Sequence, residues 1–216
     1  MTWKELQETC LRKLFSLDEK EMLEDSVTRP YLYGMPAAAN EAMLLLCAAG
    51  MPCKKHLTIP LLTETAEEEN PPLPTERLGE WLVYDLAALT GDFYALDGIA
   101  LLEGERYLPF TAYRMEGGSL LLPADKKGSF RIFYSAYPPK LTPETPPEEE
   151  IGLPEEAASM VALYMAGQLY KDDDITIAQI YMNEFLMWLE EWKKNAARAR
   201  SKNADGGGWM SVKGWY

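Results

Sequence analysis

Helix-type apolar spacing occupies both ends of this chain and short strand-type runs occupy its middle. That order restricts the fold more than any single motif does. Amphipathic helices at the two ends each need a partner for their apolar faces, so they are expected to pack on one another around one core. The middle must then leave that bundle and return to it.

The first helix is read over residues 3–15, where Leu6, Cys10, Leu11 and Leu14 fall on one side. Thr2, with Glu5 three residues on, forms the pattern of a capping box. Residues 36–49, rich in Ala, Leu and Met, read as a second buried helix that opens on Pro36 and stops at Gly50-Met51-Pro52. A third helix is expected over residues 155–170, with Val161, Tyr164, Met165 and Leu169 on a face. A fourth is expected over residues 176–199, with a stripe of Ile177, Ile180, Tyr181, Phe185, Trp188 and Trp192.

Between the second and third helices the texture changes. Strand candidates are residues 57–62, 81–86, 95–102, 106–114, 119–122 and 129–137, separated by turn-forming clusters such as Glu116-Gly117-Gly118. Phe130-Arg131-Ile132-Phe133-Tyr134 carries the strongest signal, because aromatic and β-branched side chains suit a half-buried pleated surface. Residues 64–74 are acidic and proline-rich and read as a loop, and residues 138–154 as an extended linker. The expected fold class is α+β: a helical bundle with an inserted antiparallel β-sandwich or barrel-like domain. The expected division is residues 1–53 for the first part of the bundle, 54–142 for the β-domain, 143–200 for the second part of the bundle and 201–216 for a flexible tail.

Composition narrows the function. Hydrophobic residues make up 47% of the 216 and charged ones 25%, enough for a globular core. The most apolar stretch, residues 37–53, falls short of the ~20 residues that span a bilayer and is interrupted by Asn40, Glu41 and Pro52. No membrane partner is expected. No secretory pattern is evident, and three cysteines (Cys10, Cys47, Cys53) fit buried thiols in a reducing cytoplasm better than a disulfide framework. A net charge of −13 argues against binding DNA phosphates through the overall field.

Catalytic constellations lack parts. His56 is the single histidine, so a histidine-based zinc site lacks ligands, and no catalytic role is expected for it beside Lys54 and Lys55 at a domain junction. The glycine-rich phosphate loops and the nucleophile elbow are missing too. Asp172-Asp173-Asp174 could hold a hard cation, but adjacent carboxylates diverge, and Asp174 suits the N-cap of the following helix better. Glu184 could be a general base, yet no nucleophile or second acid supports it; hydrogen bonding within or between subunits fits better. The chain is therefore expected to be no enzyme and to use no cofactor or metal.

The binding candidates lie after the fourth helix. Lys193, Lys194, Arg198, Arg200 and Lys202 form a basic run that can serve the helix dipole, dock on an acidic neighbour or touch nucleic acid. Gly206-Gly207-Gly208 then hinges a segment carrying Trp209, Met210, Val212, Trp215 and Tyr216. Such residues are rare in a solvated tail and common as interface anchors. The partner-binding set read here is Arg198, Arg200, Lys202, Trp209, Met210, Val212, Trp215 and Tyr216.

Several stretches resemble a known family. They are Gly128-Ser129-Phe130-Arg131-Ile132-Phe133-Tyr134-Ser135-Ala136-Tyr137-Pro138, Leu153-Pro154-Glu155-Glu156-Ala157, residues 163–174 and Ala178-Gln179-Ile180-Tyr181-Met182-Asn183-Glu184-Phe185. Together with the aromatic residues 209–216 and, more loosely, Tyr31-Leu32-Tyr33 and Pro36-Ala37-Ala38-Ala39-Asn40-Glu41, they resemble the head–tail connector, or adaptor, proteins of tailed phages and prophages of Gram-positive bacteria. Where the family often has Tyr-Arg-Asn-Glu-Phe, this chain has Met182 in place of the arginine. The resemblance implies a virion protein of the neck, made in the host bacterial cytoplasm. It implies a dodecameric ring of copies under the portal protein, a contact with a downstream neck or tail protein, and DNA passing through without specific binding. Two alternatives stay open: another neck or tail-completion protein, or a carbohydrate-binding module using Trp81, Tyr84, Tyr94 and Tyr107.

Overall fold

The computed structural model describes residues 1–15, 26–61, 74–103, 105–126, 128–153 and 155–204. The chain is α+β, with helices in its first and last parts and two antiparallel sheets between them. It divides into two compact units. One contains Met1–Met51 and the chain from Lys140 onward, and the other is Pro52–Pro139. The return to the helical unit comes at Lys140 rather than after residue 142, because Asn40 holds Leu141. The Asn40 amide donates to the Leu141 carbonyl at 2.8 Å and accepts from its N–H at 2.8 Å.

The helical unit is built around one helix. Its members are α1 (Trp3–Phe15), α2 (Arg29–Ala48), α4 (Glu155–Leu169) and α5 (Ile175–Ala204), and α1, α2 and α5 each pack on α4. For that reason α4 is buried almost all round from Ala157 to Gly167, not along a single face. On α1 the expected face of Leu6, Cys10, Leu11 and Leu14 is buried, joined by Trp3. The capping box forms: the Thr2 N–H donates to Glu5 Oε2 at 2.8 Å, and the Glu5 N–H to Thr2 Oγ1 at 3.3 Å.

The segment read as a linker is fastened to this unit. The first-turn N–H groups of a helix have no intrahelical acceptor. Those of Trp3 and Lys4 donate instead to the carbonyls of Glu149 (2.8 Å) and Pro147 (2.9 Å). Thr2 and Glu150 form an antiparallel bridge beside them.

Two helix readings need correction. α2 begins at Arg29, with Pro30 in its first turn, so Pro36 lies inside the helix and not at its start. Pro36 lacks only the N–H that would have reached Leu32, and its ring is buried. On α5 the inward face is Ala178, Phe185 and Leu189, with Tyr181 half-buried, whereas Ile180 and Trp188 of the expected stripe point out. Small residues decide this rotation. Gly167 lets α5 come so close that a Cβ there would lie 3.3 Å from the Ala178 carbonyl, a contact that hydropathy does not register.

The second unit holds two four-stranded antiparallel sheets. The strands are β1 (Cys53–Leu61), β2 (Glu76–Leu78), β3 (Trp81–Asp85), β4 (Phe93–Glu103), β5 (Arg106–Pro109), β6 (Arg114–Glu116), β7 (Ser119–Pro123) and β8 (Gly128–Ala136). Their orders are β1-β8-β4-β5 and β2-β3-β7-β6. The run 106–114, read as one strand, is two: β5 closes the first sheet, the chain crosses over residues 110–113, and β6 joins the second. One hydrophobic core draws on both sheets, with Ile59, Ile99, Leu101, Phe130 and Ile132 from the first and Tyr84, Leu120 and Leu122 from the second. A short helix, α3 (Leu86–Thr90), follows β3; Asp85 caps it by accepting from the Ala88 N–H at 3.0 Å, and Gly91, with φ +73°, ends it.

Candidate interaction surface

The acidic break between α4 and α5 is a structural joint. Asp174 Oδ1 accepts from the N–H groups of Thr176 (2.8 Å) and Ile177 (3.2 Å), which makes it the N-cap of α5, a contribution of about 1 kcal/mol. Asp173 accepts from the Tyr31 hydroxyl, and this pairing with a carboxylate, more than burial, pushes Tyr31 up to about 12. The Tyr170 hydroxyl donates to the Leu14 carbonyl, and Tyr181 donates to the Lys13 carbonyl at 2.8 Å. Three tyrosines thus tie the turn to the last residues of α1 and the start of α2. Among the described residues, no group of three or more His, Cys, Asp or Glu side chains comes together in a way that could hold a metal ion.

The groups with raised pKa values carry no acid–base chemistry near neutrality. Cys10, Cys47 and Cys53 are buried; burial pushes Cys10 up to about 12 and raises Cys47. Burial likewise pushes the phenols of Tyr84 and Tyr164 up to about 12, aided at Tyr164 by a hydrogen bond to Glu41. His56 lies exposed on β1 beside Phe133, with ring centroids 6.4 Å apart. Glu184 is half-buried on α5, between exposed Asn183 and buried Phe185.

A polar network that sequence reasoning missed sits on the sheet of β1, β8 and β4. Lys54 Nζ lies 2.9 Å from both Asp97 oxygens and 2.9 Å from Ser135 Oγ, and Ser135 Oγ donates to Asp97 at 3.0 Å. Asp97 reaches this position because β4 bulges between Leu96 and Gly98. Its ammonium-to-carboxylate pairing ties β1 to β4 across β8, which supplies Ser135. The signal in the sequence was only Asp97-Gly98 in an apolar run.

The four aromatics of the carbohydrate reading form no open platform. Tyr84 is core; the Trp81 ring lies under the Arg114 guanidinium at 4.7 Å, and the Tyr107 ring under that of Arg131 at 4.1 Å. Tyr94 is exposed but meets Tyr137 edge-on at 5.1 Å.

Exposed apolar side chains concentrate on α2 and α5 in the helical unit. On α5, Ile180 and Met187 are each 60% exposed and Trp188 is 53% exposed. On α2, Tyr33 is 76% and Leu44 52% exposed. Of the expected partner-binding set, Arg198, Arg200 and Lys202 fall on the last turns of α5, where only the backbone is described. Trp209, Met210, Val212, Trp215 and Tyr216 lie outside the described residues. Among the described residues no helix is long and apolar enough to cross a membrane. No protein family and no curated protein sequence matches this chain.

Proposed function

We propose that this chain is a structural protein of a tailed-phage virion: a head–tail adaptor, one copy of a ring seated under the portal, with no catalytic step of its own. In this reading it is made in the bacterial cytoplasm and ends in the neck. The ring joins the capsid to a downstream neck or tail protein and lets DNA through without gripping it. Twelve copies is the number that the family resemblance implies.

The observation that carries the reading is the exposed apolar side chains of α5, Ile180, Met187 and Trp188, on a helix whose other face is already in a core. A protomer that works alone gains nothing from leaving three such residues in water, whereas a ring subunit covers them with its neighbour. The α+β order fits the same part: a helical bundle as the frame, and an inserted β-sandwich, supported by the core shared between its two sheets, for further contacts. A charge of −13 repeated around a lumen repels DNA phosphates. Residues 206–216, with Arg198, Arg200 and Lys202, reach the portal, and many weak contacts act together.

Deleting residues 206–216 is expected to leave a folded protein that no longer joins portal-bearing capsids. Co-sedimentation of purified capsids with the full and shortened chains measures this. Equal decoration by both would overturn the docking role of that segment.

A further inference from the structure

We draw no further inference here: the strongest candidate, the outer face of the β1-β8-β4-β5 sheet, where exposed His56 and Phe133 stand beside the Arg131 guanidinium stacked on Tyr107, carries nothing because nothing in the structure shows what covers it.

Discussion

Phe130→Ala is expected to lower the stability of the β unit by about 3–5 kcal/mol. Phe130 is fully buried on β8, edge-on to Phe110 with ring centroids 4.9 Å apart, in the core to which both sheets contribute. β8 is hydrogen-bonded to β1 on one side and β4 on the other, so its backbone cannot shift to fill the void. The loss is therefore the transfer free energy of the ring plus an uncollapsed cavity. Hydrogen exchange of the β8 amides reads it locally. Phe133→Ala is the control: three residues along the same strand, its ring is 41% exposed, and its removal should cost no more than about 0.5 kcal/mol. Equal effects at the two positions would contradict the assignment of the strand's inner face.

Gly167→Val should destabilise the helical unit by about 2–3 kcal/mol. At this point α4 and α5 approach closely. A Cβ on residue 167 would lie 2.8 Å from Met182 Cγ and 2.9 Å from its Sδ, and 3.3 Å from the Ala178 carbonyl oxygen. The methionine can swing away, but the carbonyl belongs to the backbone of α5 and moves only with the helix. Alanine adds the Cβ alone and gains about 1 kcal/mol of helix propensity over glycine, so Gly167→Ala should lie well above Gly167→Val in urea midpoint. A valine variant as stable as the parent would show that the helices are not in contact there.

Features written in local chemistry were legible in the sequence. Thr2 and Glu5 cap α1, Asp174 caps α5, and the aromatic and β-branched run 130–134 forms the middle of β8. What escaped depends on residues that hydropathy scores as nothing. Gly167 and Ala178 turn α5 so that Ile180 and Trp188 look outward, although the apolar stripe placed them inward. Pro36 read as a helix start because an interior proline is the rarer case, and Pro30 holds the real first turn. The helix α3 left a signal, Asp85 and Gly91 bracketing five residues, but it is too short to show a period. The clamp of Asn40 on Leu141 and the fastening of residues 147–150 to α1 are long-range and left no trace in spacing. As for the interaction surface, aromatic and methionine residues on α5 were visible, while their exposure was not.

The adaptor reading meets its most direct test in a reconstruction of the virion neck from phage particles whose genome encodes this chain. The predicted result is a ring of this chain between portal and tail, with residues 206–216 on portal subunits. Mature particles without the chain, or particles in which residues 206–216 pack inside their own protomer, would contradict it.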